Sequence, residues 1–251
     1  MSTAVLLNIE DGVATITLNR PDRLNAFEED MANGWAEATR AATQDPQVRS
    51  IIIAAAGRAF CAGGDVREMA TLADKNEGIR TLAQRINEGI LALVESNIPV
   101  VAAAHGTTAG GGLGILLASD YAVIGESSRI GSLYAGVGLT PDLSVSAHLS
   151  RAIGERRALQ LTLQDNLLTA QQAVAWGLAA EAVEDENVFA RARDIAKQWA
   201  ANAHAYGEAK RLIRSERGRT FKEQLEEEAR TIGVAAVTAE GQARIQAFAQ
   251  R

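Results

Sequence analysis

Residues 48–65 read VRSIIIAAAGRAFCAGGD, and this stretch decides the fold class. Its first part, Val48 to Ala54, is a short apolar run rich in β-branched residues, which predicts a buried strand. Its second part, Gly57 to Asp65, is a loop of small residues, and helical spacing that includes Met69 and Leu72 follows it. The stretch therefore predicts a strand, a glycine loop and a helix in that order, which is typical of an α/β protein.

The same alternation of strands and helices continues outward from this stretch. Two β-branched runs before it meet at Asp11-Gly12, a dipeptide that favours a tight turn, so a β-hairpin is predicted there. The other elements predicted up to residue 153 are helices over 27–42, 79–94 and 143–153 and strands over 100–104 and 121–124. Together these elements indicate an α/β fold.

Helical patterns dominate after Leu149, apart from a short strand predicted over 180–183. We therefore predict a core domain over residues 1–190 that carries the functional site, and a helical region over 191–251. An amphipathic segment such as 221–237 needs an apolar surface to cover. That surface can belong to the same subunit or to a neighbour, so the helical region is predicted to cap the core and to support oligomerisation.

Composition and charge argue against several classes of function. The 251 residues carry a formal net charge of −6, which disfavours a nucleic-acid partner, because phosphate binding needs concentrated Lys and Arg. No run approaches about 18 apolar residues without a charge, so no membrane partner is expected. The first residues lack the pattern of a secretory signal, and a cytoplasmic location is the default expectation. The single cysteine and three scattered histidines show no metal-ligand spacing, so no metal site is expected.

A second loop of small residues, 103–114, also follows a predicted strand and opens an apolar helix. In such loops glycines let a ligand approach the backbone, and the helix start presents amides without an acceptor. Neither loop has the spacing of a dinucleotide or nucleotide phosphate loop. Two such loops can supply two amide donors for an oxyanion, each worth about 3–4 kcal/mol in the transition state. The alternative interpretation is a pair of tight turns that serve packing only.

Four short segments carry a resemblance to a known family: LNRP at 18–21, NAF at 25–27, FCAGGD at 60–65 and GGG at 110–112. In this order they resemble the enoyl-CoA hydratase/isomerase, or crotonase, family, and the resemblance spans nearly the whole chain. It implies a crotonase-like ββα spiral with a C-terminal helical region, usually assembled as homotrimers or dimers of trimers. It also implies an acyl-coenzyme A thioester as substrate and no separate cofactor, because coenzyme A is part of the substrate.

The resemblance also implies the residues of the site. The backbone amides of Ala62 and Gly111 would bind the oxyanion. The other substrate contacts that it implies are Arg23, Leu24, Ala26, Gly63, Gly64, Asp65, Gly110, Tyr134 and Phe248. From the residues alone, Asp65 is predicted to accept backbone amides of its own loop, and Tyr134 is as well explained by a buried structural role.

The acid/base residues depart from those of the family's hydratases, which share proton transfer between two glutamates. At the corresponding positions this sequence has Gly114 and Tyr134. One acid stands out instead, Asp142 in the run GLTPDLS at 138–144. An Asp after Pro predicts a cap of the helix that follows. The resemblance implies a different role, because the Pro-Asp of a G-x-x-P-D run supplies the single catalytic acid/base in isomerases of this family.

The leading functional hypothesis is an enoyl-CoA isomerase in which Asp142 moves a proton between two carbons while the oxyanion hole holds the enolate. Three alternatives stay open: an enoyl-CoA hydratase that activates water with other groups, an aryl-CoA dehalogenase-like enzyme with Asp142 as nucleophile, and an acyl-CoA-binding protein without turnover. His105, His148 and Cys61 have no obvious catalytic partner in the sequence, and we predict structural roles for them.

Overall fold

The computed structural model describes residues 3–250 and shows a mixed α/β architecture, which confirms the predicted fold class. The strands are β1 (Val5–Glu10), β2 (Val13–Leu18), β3 (Ser50–Ala55), β4 (Val100–Ala104), β5 (Thr107–Ala109), β6 (Tyr121–Gly125), β7 (Arg129–Gly131), β8 (Leu167–Thr169) and β9 (Glu181–Val183). The α-helices are α1 (Glu29–Gln44), α2 (Val66–Thr71), α3 (Lys75–Glu95), α4 (Gly111–Ala118), α5 (Val145–Ile153), α6 (Glu155–Gln164), α7 (Ala170–Trp176), α8 (Val188–Ala200), α9 (Ala203–Ser215), α10 (Phe221–Val237) and α11 (Ala239–Ala249). Within this part of the chain no helix combines the length and the apolarity that a membrane crossing requires.

Six strands form the main sheet, in the order β1-β2-β3-β4-β6-β9. β1 and β2 are the predicted hairpin, and Asp11 and Gly12 at its turn have positive φ angles of 52° and 77°. All later neighbours in this sheet pair in parallel, so the connecting segments must cross over its faces. Because the carboxyl ends of parallel strands meet at one edge, the loops after β3 and β4 emerge side by side.

The side chains of β3 alternate between two apolar layers. Ile51 and Ile53 face a large core that includes Trp35 and Phe60, whereas Ile52 faces a smaller core beneath α8. All three isoleucines are fully buried. A strand that is buried on both faces has a continuous apolar sequence instead of an alternating one, and the prediction of a buried strand here is confirmed.

A second sheet of three short strands, β5-β7-β8, was not predicted. β5 and β7 pair in parallel, and β7 and β8 pair antiparallel. An isolated bridge joins Cys61 to Thr108 of β5. The glycine loop after β3 is therefore fastened to the segment that leads into the second glycine loop.

The predicted boundary between the core domain and the helical region, residue 190, falls inside α8, whose buried face packs against the main sheet. The side chains of α8 that pack against the main sheet are Val188, Ala192, Ile195 and Ala196. The helices that follow, α9 to α11, carry several largely exposed apolar side chains, among them Ile213, Phe221, Ile232, Val237 and Phe248.

Candidate active site

The two glycine loops meet where the chain leaves β3 and β5. The N–H of Ala109 donates to the Cys61 carbonyl at 2.9 Å, which holds the loops together. Gly63 has a φ of +104°, and a methyl group built on it would lie 3.1 Å from the Gly111 nitrogen. Glycine is favoured at this position because the positive φ strains any other residue and a side chain would press against the backbone of the second loop.

The amide of Ala62 is already occupied. It donates to the Leu24 carbonyl at 3.0 Å, so the structure contradicts the prediction that Ala62 supplies a free donor. Two hydrogen bonds to Phe27 hold the backbone on either side of Gly64. The Phe27 N–H donates to the Gly63 carbonyl at 2.7 Å, and the Asp65 N–H donates to the Phe27 carbonyl at 2.8 Å. This parallel bridge leaves the amide of Gly64 on the other side of the segment.

Two amides at the meeting point of the loops are free. Among residues 3–250, neither the Gly64 N–H nor the Gly111 N–H has an acceptor. Gly111 is the first residue of α4, where the geometry of a helix leaves N–H groups without intrahelical partners. Both residues line the same cavity, so the structure pairs Gly111 with Gly64 instead of Ala62.

Asp142 and Tyr134 lie together in this cavity. The Tyr134 hydroxyl donates to Oδ1 of Asp142 at 2.6 Å, and both residues line the cavity wall. The prediction that Asp142 caps a helix is wrong. α5 begins at Val145, its N-cap residue is Ser144, and the Asp142 main-chain carbonyl, not its carboxylate, accepts the Val145 N–H at 2.9 Å.

Burial and the tyrosine act on the Asp142 carboxyl in opposite directions. Burial raises the pKa of Asp142, because a carboxylate loses solvation there, and the hydrogen bond from Tyr134 partly offsets this by stabilising the ionised form. Burial also raises the pKa of Tyr134, and the neighbouring Asp142 raises it further. Tyr134 therefore stays a neutral donor while Asp142 takes up or releases the proton.

The space for the first hydratase glutamate is closed in this chain. A methyl group built on Gly114 would lie 2.2 Å from the main-chain oxygen of Leu143. Leu143 and the next residue, Ser144, both have positive φ angles, 47° and 69°, which places the loop between Asp142 and α5 against α4. Non-glycine residues with positive φ store backbone strain, and such strain concentrates at functional sites.

The cavity has a volume of about 480 Å³. Its polar groups besides the free amides are the side chains of Arg80, Tyr134, Thr140, Asp142 and Asp165. Its apolar wall is formed mainly by Phe27, Val66, Met69, Ile79, Leu82, Ile86, Leu133, Val137, Leu139 and Leu143. A larger cavity of about 560 Å³ lies between α5 and α9, but it contains neither glycine loop, so we assign the chemistry to the smaller one.

Several predicted substrate contacts line the cavity and others do not. Gly63, Gly64, Gly110 and Tyr134 do. Asp65 does not: its carboxylate caps α2 by accepting the Glu68 N–H at 3.4 Å, as predicted from its loop position, and pairs with Arg20.

The remaining predicted contacts are outside the cavity wall. Phe248 is 77% exposed on α11, and the structure does not support a substrate contact for it within this subunit. Arg23, Leu24 and Ala26 lie beside the first glycine loop, where the Leu24 carbonyl holds the Ala62 amide. Their contact with coenzyme A stays a prediction.

The histidines and the cysteine singled out in the sequence have structural partners. A ring nitrogen of His105 bonds the Gly57 carbonyl at 2.7 Å, and Nδ1 of His148 lies 3.0 Å from the Ser144 hydroxyl. Cys61 is fully buried, and burial raises the pKa of its thiol to about 12. A thiol with that pKa is protonated at neutral pH, so Cys61 is no nucleophile.

Asp165 is an acidic cavity residue that the sequence did not reveal. It follows α6 in a polar Gln-Asp-Asn turn, which by itself indicates nothing more than a helix end. Only the tertiary structure brings its carboxylate into the same cavity as Asp142.

Comparison with known proteins places this chain and its fold in a family. The sequence model of the family described as Enoyl-CoA hydratase/isomerase matches residues 8–251. The 1,2-epoxyphenylacetyl-CoA isomerase of Escherichia coli (strain K12) is 31% identical over 90% of this chain and 87% of its own length. The 4-chlorobenzoyl coenzyme A dehalogenase-2 of Arthrobacter sp. is 31% identical over 88% of this chain and 82% of its own. A crystal structure of an enoyl-CoA hydratase/isomerase-type protein from Mycobacterium abscessus superposes with a TM-score of 0.93 at 32% identity, covering 98% of this chain and 96% of that chain.

The chain belongs to the enoyl-CoA hydratase/isomerase family, as its sequence motifs predicted. Its fold is crotonase-like, with a helical C-terminal region. This family acts on acyl-CoA thioesters, which agrees with a cavity that combines free amides with an apolar wall.

Proposed function

We propose that this protein is an enoyl-CoA isomerase that shifts a carbon–carbon double bond along an acyl-CoA thioester. The observation that carries the proposal is the pairing of one desolvated carboxylate, Asp142, with two free amides, Gly64 and Gly111, in one cavity. Moving a double bond requires removal of a proton from one carbon and its return to another, and a single base can perform both steps.

The proposed reaction proceeds through an enolate. The Asp142 carboxylate removes a proton from the α-carbon of a 3-enoyl thioester, and the electron pair moves onto the thioester oxygen. The amides of Gly64 and Gly111 donate to that oxygen and stabilise its negative charge. The protonated Asp142 then returns the proton to the γ-carbon, which yields the 2-enoyl thioester and restores the carboxylate.

The Gly114 position argues against the hydratase alternative. Hydration needs a group that activates water beside the proton donor. The Leu143 backbone occupies the space next to Gly114, and Tyr134 is hydrogen-bonded to Asp142. A relative named 1,2-epoxyphenylacetyl-CoA isomerase supports isomerisation, although a relative of similar identity is named a probable enoyl-CoA hydratase, so the preference rests on the Gly114 position.

The proposal is tested by proton exchange in deuterated water. NMR would follow deuterium incorporation at the α- and γ-carbons of a 3-enoyl-CoA together with migration of the double bond. We expect Asp142→Asn to slow both by at least about 100-fold, since general acid–base catalysis contributes at least that much. Asp194→Asn, which changes an exposed acid on α8, is the control and should match the wild type. Unchanged migration in Asp142→Asn would overturn the proposal.

A second candidate is nucleophilic substitution on a halogenated aryl-CoA: the Asp142 carboxylate attacks the ring carbon that carries the halogen, halide leaves, and water hydrolyses the resulting aryl ester. A relative named 4-chlorobenzoyl coenzyme A dehalogenase supports it, and so does a carboxylate that faces the cavity. Mass spectrometry of the protein after rapid mixing with a halogenated aryl-CoA would detect a covalent adduct on Asp142. An adduct would favour this candidate, and exchange without an adduct would favour the isomerase. Binding without either would favour a non-catalytic acyl-CoA-binding protein.

We also propose that the chain assembles as a homotrimer or a dimer of trimers in the cytoplasm. The exposed apolar side chains of α9 to α11 support assembly, because large apolar surfaces in proteins are usually covered by a partner. Light scattering would give the mass of the assembly, and cell fractionation would give its location.

A further inference from the structure

Asp165 combines two unfavourable features at one position. It ends α6 with a φ of 52°, in the left-handed region that favours glycine, so the backbone there is strained. Its Oδ1 atom is fully buried and accepts no hydrogen bond within residues 3–250. A glycine at this position would remove both features at once, so neither the turn nor the stability of the fold explains an aspartate.

Within the described residues 3–250, no structural partner accounts for the Asp165 carboxylate. Arg80 lines the same cavity, but its guanidinium pairs with Glu77 at 2.6 Å. The carboxylate lies against Gly136, since a methyl group built there would come within 2.3 Å of Oδ2 of Asp165. The absence of a side chain at residue 136 therefore makes room for the carboxylate.

The position of Asp165 relates it to the proposed acid/base. The short 3-10 turn Ala135–Val137 begins directly after Tyr134, which holds Asp142. Gly136 in the same turn contacts Asp165. The two carboxylates thus flank one turn and line one cavity, so a single ligand in this cavity can contact both.

We infer that Asp165 is a specificity-determining residue that accepts a hydrogen bond from a hydroxyl group on the acyl part of the substrate. This inference rests on the proposed function, because it takes an acyl-CoA thioester as the ligand of the cavity. The acyl part is favoured over the coenzyme A part because Leu24 and Ala26, whose contact with coenzyme A is a prediction, do not line this cavity.

A hydroxyl donor would pair with the Asp165 carboxylate, whereas an acyl group without a donor would displace water from the cavity and leave the carboxylate unpaired. A site that is built to hydrogen-bond a substrate hydroxyl rejects the analogue that lacks it, because the polar group of the protein then loses water without compensation. We expect the wild type to bind a correctly placed hydroxyacyl-CoA about 10- to 100-fold more tightly than its deoxy counterpart.

The test uses saturated acyl-CoA thioesters, which bind but cannot isomerise. Titration calorimetry would give Kd for a plain acyl-CoA and for a series that carries one hydroxyl at successive carbons. Asp165→Gly keeps the left-handed turn and removes the carboxylate, so it should abolish the preference for the hydroxylated ligand. Asp165→Asn keeps one acceptor oxygen without the charge and should retain part of the preference. Asp194→Asn on α8 is the matched control.

Gly136→Ala provides a second variant, because its methyl group displaces the carboxylate while Asp165 itself is retained. It should also reduce the preference for the hydroxyl. The inference is overturned if no hydroxyl position improves binding to the wild type, or if the preference survives in Asp165→Gly. Equal weakening of every thioester in Asp165→Gly would instead assign the donor to the pantetheine and overturn the inference as stated.

These outcomes are separate from those of the proposed function. Kd values for saturated thioesters do not depend on turnover, so a hydroxyl preference can be present when the deuterium experiment fails. Conversely, exchange that depends on Asp142 together with equal affinity for hydroxylated and plain thioesters would leave the isomerase standing and remove the role of Asp165.

Discussion

Two influences shift the pKa of Asp142 in opposite directions: burial of its carboxyl and the hydrogen bond from Tyr134. Burial raises the pKa of its carboxyl, and the hydroxyl of Tyr134 partly opposes this with a hydrogen bond of 2.6 Å to the ionised form. A base acts only when it is ionised, so kcat/KM should fall as the pH drops through the pKa of Asp142 in the free enzyme. The pH at which kcat/KM falls therefore depends on the hydrogen bond from Tyr134 to Asp142.

Replacing Tyr134 by Phe removes the donor that favours the carboxylate. The pKa of Asp142 should then rise further, and the acid limb of the kcat/KM profile should move to higher pH by about 1 to 2 units, because a hydrogen bond to a charged group is worth about 1.5–3 kcal/mol. Isomerisation rates measured from pH 4 to 9 would show the shift. Tyr206→Phe, on α9 outside the cavity, should leave the profile unchanged. A shift to lower pH in Tyr134→Phe would contradict this account of the pair.

At the scale of the elements, the contact between α4 and the loop before α5 determines which acid/base groups the site can hold. Gly114 lies inside α4, where alanine would ordinarily stabilise a helix by about 1 kcal/mol. Here a methyl group would lie 2.2 Å from the Leu143 main-chain oxygen, and backbone atoms cannot rotate away as a side chain can. Steric exclusion should therefore outweigh helix propensity.

Gly114→Ala should accordingly lower the free energy of unfolding by about 2 kcal/mol or more, a typical cost of overpacking. The matched control is Gly233→Ala in α10, where no atom lies within 4 Å of the new methyl group. That control should stabilise the protein by about 0.5–1 kcal/mol. Urea unfolding of both variants gives the comparison. Stabilisation by both would mean that the loop before α5 moves aside easily.

The elements that the sequence revealed are those with a clear local pattern. β3 was predicted because its sequence is a continuous apolar run with three consecutive isoleucines, all of which are buried in the structure. The first hairpin was predicted because the dipeptide Asp11-Gly12 favours a tight turn. β5, β7 and β8 have three residues each, too few to show a period, and pairing with distant strands creates them.

The site was predicted where it depends on local motifs and missed where it depends on tertiary contacts. The glycine loops were identified from their position after strands. The free donor was assigned to Ala62 instead of Gly64 because the competing acceptor, the Leu24 carbonyl, is 38 residues away in sequence. Asp142 was expected to cap a helix by a local rule, but Tyr134 engages its carboxylate. Asp165 has no local signal, because only folding brings it to the cavity.

At the scale of the whole molecule, one buried lysine links α9 to the core. The ammonium group of Lys210 donates to the carbonyls of Leu93 and Ile98, both at 2.7 Å, and lies 3.2 Å from a carboxylate oxygen of Asp120. These partners belong to the end of α3, the segment before β4 and the residue before β6. Burial lowers the pKa of Lys210, and the Asp120 carboxylate opposes this by favouring the charged form.

Lys210→Met should weaken the attachment of α9 to the core and leave the stability of the main sheet nearly unchanged. The variant removes the ammonium donor from the Leu93 and Ile98 carbonyls. The Ser96 hydroxyl still donates to the Leu93 carbonyl at 2.9 Å, and Arg214 still pairs with Asp120 at 2.7 Å. Removing a buried charged partner costs on the order of 3 kcal/mol, so we expect hydrogen exchange of the α9 amides to accelerate by roughly 100-fold. Amides of β3 and β4 should exchange as in the wild type, and Lys222→Met, which alters a side chain that is 86% exposed, should change neither. Equal acceleration in α9 and in the sheet would instead mean that the C-terminal helices and the core open as one cooperative unit, held together by more than this lysine.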